Sequence, residues 1–145
     1  MSEIKIIIDK EILEKYNLYY FDKYPRRKKI PIERVIAPSL NYFTSIKRMV
    51  QHSLKKNYKE FSNWIAFYYK INDLRLEKAV ITYTFFFADH RRRDFDNMCL
   101  TAKFFNDGFV DAKTLVDDDG LHLMIRFNKF EFDKNHPRTE MVIEY

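Results

Sequence analysis

The chain has 145 residues, of which 46% are hydrophobic and 17% aromatic, and it contains only two glycines and four prolines. This length and composition are typical of one globular domain with a sizeable core, and they exclude disordered and fibrous chains. Residues 1–60 contain 14 Lys or Arg and 7 Asp or Glu, whereas residues 61–145 contain 12 and 14. The excess positive charge therefore lies in the first part of the chain, where it suits a polyanion, although ordinary surface charge is an equal alternative.

The sequence predicts an intracellular protein that does not enter a membrane. Its single cysteine, Cys99, cannot form an intrachain disulfide, and the first residues have no signal-peptide pattern. The longest apolar run, residues 79–88, is too short to span a bilayer. We therefore expect the protein in the cytoplasm.

Alternating isoleucines predict a strand over residues 3–9, and residues 9–21 suit a short helix. A basic loop broken by Pro25 follows. It carries four consecutive cations, Arg26, Arg27, Lys28 and Lys29. These cations suit contact with a phosphate backbone, and a solvated loop is the alternative. Residues 30–36 are predicted to be extended.

A turn at residues 37–41 precedes the longest helix predicted in the chain. Pro38 disfavours helix at the residue before it, and Ser39 or Asn41 can cap the helix that follows. Apolar residues then recur at steps of three and four, which predicts an amphipathic helix over residues 41–70. The lysines and arginines outside the apolar face of this helix contact either solvent or phosphates.

Residues 78–87 are β-branched or aromatic on both faces, which predicts a central strand covered on both sides. A helix over residues 94–107 follows, with Gly108 as its C-terminal stop. Two more strands are predicted. One carries Leu121, Leu123, Ile125 and Phe127 on one face and continues after a kink through Phe130 and Phe132; the other spans residues 139–145. The fold class is therefore α/β (α+β): one domain over residues 1–145, with a mixed sheet, a long amphipathic helix and a second helix starting at an acidic motif.

The acidic motif follows the central strand and reads Arg91-Arg92-Arg93-Asp94-Phe95-Asp96-Asn97. A second acidic cluster, at Asp117, Asp118 and Asp119, lies in a turn further along the chain. If both turns lie at one edge of the sheet, their carboxylates form a site for Mg²⁺, which prefers hard oxygen ligands. Lys103 lies two helical turns after Asp96, from where it can contact a scissile phosphate or orient a water. The alternatives are helix capping by the acids, a simple acidic turn, and a surface lysine.

These motifs resemble the RusA family of Holliday-junction resolvases, small endodeoxyribonucleases common in phages and prophages. The arginine-rich Asp-x-Asp-Asn motif, the following helix, the Asp-Asp turn before a strand, and Pro38-Ser39-Leu40-Asn41 occur in the family's order. The resemblance covers residues 30–145.

The resemblance implies a homodimer that binds four-way DNA junctions and cuts two strands symmetrically with Mg²⁺ or Mn²⁺. It implies that Asp94, Asp96 and one acid of the second cluster hold the metal; Asp119 is favoured over Asp118. DNA contacts are expected from Arg91, Arg92, Arg93, Asn97 and Asn41 of the matching motifs. The cations of the basic loop, Arg26, Arg27, Lys28 and Lys29, lie outside the resemblance and are expected to contact DNA on their charge alone.

The chain departs from the family at three points. Leu100 stands where the family has its catalytic lysine, and Lys103, one turn later, is the candidate substitute. The stretch between the helix and the acidic turn is longer, and residues 1–29 are an extension of unassigned role. A catalytically weak or inactive junction-binding protein is therefore the main alternative. A metal-free domain whose acids cap a helix, and a nuclease acting on flaps or forks, are further ones.

Overall fold

A computed structural model describes residues 2–145 as a five-stranded sheet with four α-helices. The strands are β1 (Glu3–Ile8), β2 (Ala79–Phe87), β3 (Leu123–Phe127), β4 (Glu131–Phe132) and β5 (Arg138–Glu144). The helices are α1 (Lys10–Lys23), α2 (Leu40–Ser45), α3 (Arg48–Tyr68) and α4 (Leu100–Asp111), with a 3-10 helix at Asp96–Met98. The predicted α+β class, with one domain and a mixed sheet, is confirmed.

The sheet is organised around β2. Strand β5 lies between β1 and β2 and is antiparallel to both. Strands β3 and β4 pair parallel with successive parts of β2, β3 opposite the first half and β4 opposite the last two residues. A parallel neighbour needs a crossover connection, and α4 supplies it between β2 and β3. The residues before β2 and those before β3 therefore lie at the same end of the sheet.

The core lies between one face of the sheet and the helices. Alternate residues of β2 are buried, and Ile6 and Ile8 of β1 and Met141 and Ile143 of β5 join them. Helices α3 and α4 pack together through aromatic rings; the Tyr58 ring stacks on Phe104 at 5.1 Å between centroids. Large buried rings suit a chain in which 17% of residues are aromatic.

The helix predicted over residues 41–70 is wrong as a single element, because it is two helices, α2 and α3. Ile46 and Lys47 between them have extended backbone angles. The Thr44 and Ser45 hydroxyls donate to carbonyls one turn earlier, which competes with helix continuation. The side-chain amide of Gln51 then donates to the Phe43 carbonyl at 2.8 Å, which pairs a carbonyl near the C-terminal end of α2.

The helix after the acidic motif begins later and ends later than predicted. It starts at Leu100 rather than at residue 94 and continues to Asp111, so Gly108 lies inside it. Gly108 does not end the helix. Its lack of a side chain instead allows α4 to pack closely on α3, since a Cβ on Gly108 would lie 2.8 Å from the Lys59 carbonyl of α3.

Residues 30–36 are irregular rather than a strand, although Ile32 and Ile36 are buried. Pro31 removes a backbone donor that a strand would use. Side chains hold this segment instead: the Thr139 hydroxyl donates to the Val35 carbonyl at 2.6 Å.

Strand β2 is central, but only one of its faces is fully buried, so the predicted double covering is wrong. On the other face, Phe86 is covered by the Arg138 guanidinium, 3.6 Å from the ring centroid, and not by a second layer. The predicted apolar face of β3 is also largely uncovered. Leu123 is buried, whereas Ile125 and Phe127 are exposed.

Residues 2–29 add an edge strand and a helix to the fold. β1 extends the sheet beside β5, and Asp9 caps α1 by accepting a hydrogen bond from the Ile12 amide at 3.1 Å. Within residues 2–145, no helix combines the length and the apolar character needed to cross a membrane.

Candidate metal centre and nucleic-acid interface

The loop that follows β2 is fixed by Arg93. Its guanidinium lies 3.9 Å from the centroid of the Phe87 ring and donates to Asp89 Oδ1 at 2.7 Å. It also donates to the Asp89 and Arg91 carbonyls. The Arg91 amide and the Arg93 guanidinium lower the pKa of Asp89, a residue that the sequence analysis did not single out. The spacing of four residues between Asp89 and Arg93 is the feature of the sequence that could have indicated this ion pair.

The three arginines of the motif therefore differ in what they can contact. The Arg93 side chain is 18% exposed and is engaged within the loop. The Arg92 side chain is 92% exposed, and Arg91 is similarly open. Arg91 and Arg92 are thus the motif's cations that remain accessible to a nucleic acid.

Asp94 and Asp96 are exposed and do not cap the helix that follows them. The 3-10 helix and α4 both lack a side-chain cap at their N-termini. Asp94 lies 3.9 Å from the Arg92 guanidinium, and no ion pair within residues 2–145 involves Asp96. Neither carboxylate therefore caps a helix by a side-chain hydrogen bond, although Asp96 lies in the first turn of the 3-10 helix.

Asn97 connects the acidic loop to the turn at residues 37–41. Its Oδ1 accepts a hydrogen bond from the Asn41 amide at 2.8 Å. The Ser39 hydroxyl caps α2 by accepting from the Tyr42 amide at 3.2 Å. The two motifs that carry the family resemblance are thus in direct contact, with Asn97 supporting the start of α2.

The second acidic cluster contains a group of three potential metal ligands. Asp117, Asp119 and His122 each offer one ligand atom, and these atoms all lie within 4.8 Å of one another. His122 Nδ1 is 2.6 Å from Asp119 Oδ1. This hydrogen bond raises the pKa of His122 and lowers that of Asp119. The sequence analysis missed His122; its place three residues after Asp119 was the signal.

Asp118 is oriented differently from its two neighbours. Burial, the charge of Asp107 and a hydrogen bond with Asp107 raise its pKa. Asp107 also lies 3.7 Å from the Lys103 ammonium. Lys103 therefore contacts an acid one turn further along α4, on the side away from Asp96.

The two acidic groups lie at opposite ends of β2. Asp94 and Asp96 follow its last residue, whereas the acidic turn leads into β3, whose first residue Leu123 is opposite Ala79 at the start of β2. Helix α4 spans the distance between them. Within α4, seven residues separate Leu100 from Asp107, the hydrogen-bond partner of Asp118, which corresponds to about 10 Å of helical rise. The sequence analysis considered that both turns lie at one edge of the sheet. Within one copy of the chain they do not, because they lie at opposite ends of β2.

The cations of the basic loop, like those of the arginine motif, include one that other side chains hold and several that remain accessible. Arg27 is held by Tyr24, with its guanidinium 4.1 Å from the ring centroid, and by a hydrogen bond to the Tyr20 hydroxyl at 2.8 Å. Arg26, Lys28 and Lys29 are exposed and take part in no ion pair within residues 2–145. They extend the accessible positive surface.

Comparison with protein-family models finds no family that matches the chain, and comparison with curated proteins finds no match. The resemblance to RusA resolvases therefore depends on the motif residues themselves. What the fold and the site define is an α+β domain with two separated acidic groups and an accessible cationic surface.

Proposed function

We propose that this protein is a divalent-metal-dependent endodeoxyribonuclease that cuts branched DNA, with the four-way junction as its main substrate. The observation that carries the proposal is the exposed pair Asp94 and Asp96. These carboxylates make no capping hydrogen bond, and they lie beside two accessible arginines in a loop that Arg93 holds fixed. An exposed acid pair beside open cations suits a metal and a phosphate at one place.

The donor atoms present fit a divalent cation in part. Asp117, Asp119 and His122 offer two carboxylates and an imidazole, a set that suits Mn²⁺ better than Mg²⁺ because imidazole is a softer ligand than oxygen. Asp94 and Asp96 offer oxygen only. A bound cation would supply a more acidic water and charge stabilisation at the phosphorus.

A second copy of the chain would complete the site. Strand β3 is the last strand on its side of the sheet, and its exposed side chains include Met124, Ile125 and Phe127. Antiparallel pairing of β3 with β3 of a second copy, about a two-fold axis, would bury these residues. It would also bring the N-terminal turn of one β3 to the C-terminal end of the other.

That arrangement joins the two acidic groups across the dimer. The acidic loop lies at the C-terminal end of β3, because the Phe95 ring contacts Phe130, three residues beyond β3, at 4.2 Å between centroids. Asp119 and His122 of one copy would then approach Asp94 and Asp96 of the other. Two equivalent sites result, as paired symmetric cuts require.

The test is cleavage of a labelled four-way junction in Mg²⁺ and in Mn²⁺ by the wild type, Asp96→Asn and Asp22→Asn. Asp22 is exposed on α1 and makes no ion pair within the described chain, so its variant controls for the loss of one surface charge. We expect paired nicks from the wild type and from Asp22→Asn, and none from Asp96→Asn. Equal cleavage by all three proteins would refute the assignment of the site.

The second candidate is a junction-binding protein without nuclease activity. Leu100 favours it, because the residue at the family's lysine position is buried and Lys103 pairs with Asp107 instead. Junction binding without cleavage in either metal would establish this alternative.

A further inference from the structure

A groove lies between the irregular segment at residues 29–38 and helices α2 and α3. Its volume is about 480 Å³, which falls within the range of small-molecule sites. One wall is apolar and open to solvent, with Tyr42 50% exposed and Met49 and Val50 exposed beside it. The Tyr42 ring makes no aromatic contact within residues 2–145, so one face is available for stacking.

Polar groups that the fold does not use also line the groove. The Tyr58 side chain is 3% exposed and lines the groove, and its hydroxyl makes no hydrogen bond with another residue of the described chain. The side chains of Asn57 and Ser53 line the same groove and likewise make none. These side chains have donors and acceptors free for a ligand in the groove.

The rim of the groove is cationic. Lys29 and Arg34 line it, and neither forms an ion pair with the one acid in the lining, Glu33, or with any other described residue. An apolar wall, hydrogen-bonding side chains in the lining and a cationic rim match the base, its polar edge and the phosphate of one nucleotide.

The groove is also connected to the acidic loop. Pro38 and Tyr42, which line it, flank the segment whose Asn41 amide donates to Asn97 beside Asp96. A DNA strand passing the acidic loop can therefore reach the groove along α2.

We infer that this groove binds an unpaired nucleotide of the branched DNA, with the base against Tyr42 and the phosphate at Lys29 and Arg34. The inference depends on the proposed function and adds to it a feature that selects branched over fully paired DNA. Duplex DNA offers no unstacked base, so it would use the cations but not the groove.

The experiment measures fluorescence anisotropy without divalent metal, so that bound DNA is not cut. Two probes are compared: a four-way junction with one unpaired nucleotide at the branch, and a duplex of equal length. The variants are Tyr42→Ala and Asn57→Ala, and the control is Phe67→Ala, an exposed aromatic at the opposite end of α3.

We expect Tyr42→Ala to lower affinity for the branched probe about tenfold, since loss of one base–aromatic stack has this order of effect. Asn57→Ala should also weaken it, and both variants should bind duplex as the wild type does. With 2-aminopurine as the unpaired base, the wild type should quench its fluorescence and Tyr42→Ala should not.

Wild-type binding of the branched probe together with unchanged affinities and quenching in both variants would overturn the groove assignment while leaving the nuclease proposal intact. Equal losses on duplex and branched DNA would also overturn it, because they would indicate general backbone contact. Absence of any DNA binding by the wild type would refute both proposals.

Discussion

Gly108→Ala is predicted to destabilise the protein, although alanine normally stabilises a helix interior by about 1 kcal/mol relative to glycine. The new Cβ would lie 2.5 Å from the Ser62 hydroxyl oxygen and 2.8 Å from the Lys59 carbonyl, with Ser62 Cβ closer still. Ordinary contact begins near 3.4 Å, so α3 and α4 would have to separate by about 1 Å at this point. The Ser62 hydroxyl also donates to the Phe105 carbonyl at 2.7 Å, a buried hydrogen bond worth about 1 kcal/mol that this movement would disturb.

Overpacking of this kind costs about 1–3 kcal/mol. Subtracting the helix gain and adding the disturbed hydrogen bond leaves a net loss of about 2 kcal/mol in the free energy of unfolding. At roughly 3 °C per kcal/mol for a domain of this size, Tm should fall by about 6 °C. Circular dichroism melting and urea unfolding would measure both quantities.

Two variants make this prediction specific. Gly120→Ala should have almost no effect, because nothing lies within 4 Å of a Cβ at that position. Ser62→Gly combined with Gly108→Ala should be more stable than the sum of the single effects predicts, since it removes the nearest obstructing atoms. A rise in Tm for Gly108→Ala alone would refute the packing argument.

Three further predictions concern single side chains. Tyr83→Phe should lower the free energy of unfolding by about 1–3 kcal/mol, because the buried Tyr83 hydroxyl donates to Asn106 Oδ1 at 2.7 Å and the change leaves that oxygen unpaired; urea unfolding measures it. Nuclear magnetic resonance titration should give His122 a pKa above 6.5, and Asp119→Asn should lower this pKa. Because the pKa of His122 is raised in the folded protein, its interaction with Asp119 stabilises the fold fully below pH 6.5. This stabilisation is lost as the pH rises through the folded pKa. The lowered pKa of Asp119 sets the acid limit, because its contribution is lost as the pH falls below 3.8 through the folded value. Arg93→Ala should cost about 2 kcal/mol, from the lost ring contact and charge-assisted hydrogen bonds, and should increase protease cleavage in the acidic loop.

The sequence predicted the helices and strands that are marked by a regular pattern of apolar residues within the element itself. Strands β1, β2 and β5 and helix α1 were found within a residue or two, because alternation and capping are local signals. The break between α2 and α3 was not found, since it depends on hydroxyls at residues 44 and 45 that compete for backbone carbonyls. Gly108 was misjudged for a related reason, because its role is a contact with α3, 46 residues earlier in the sequence.

The candidate site was predicted as a set of residues but not as an arrangement. Asp94 and Asp96 are exposed in the loop after β2, and not at the start of α4 as expected, because α4 begins at Leu100. Their separation from the second acidic cluster follows from the parallel pairing of β2 and β3, which sequence patterns do not reveal. His122 was missed although it lies only three residues after Asp119.

The composite site makes a prediction that a site within one subunit cannot make. Asp96→Asn and Asp119→Asn should each be inactive as homodimers, since every site lacks one ligand. In a mixed dimer, one site has both changes, and the other combines the unchanged Asp96 of one copy with the unchanged Asp119 of the other. Co-refolding equal amounts should therefore restore about a quarter of the wild-type sites, given random pairing of two-fold dimers.

The product distribution distinguishes this outcome from residual activity. A mixed dimer has one working site, so it should nick one strand of a four-way junction and leave the junction unresolved. The wild type should yield paired cuts from two sites. If both acidic groups acted within one subunit, every subunit in the mixture would carry a defect and mixing would restore no nicking. Absence of nicking in the mixture, with a wild type that cuts, would therefore refute the arrangement across β3 while leaving the nuclease assignment in place.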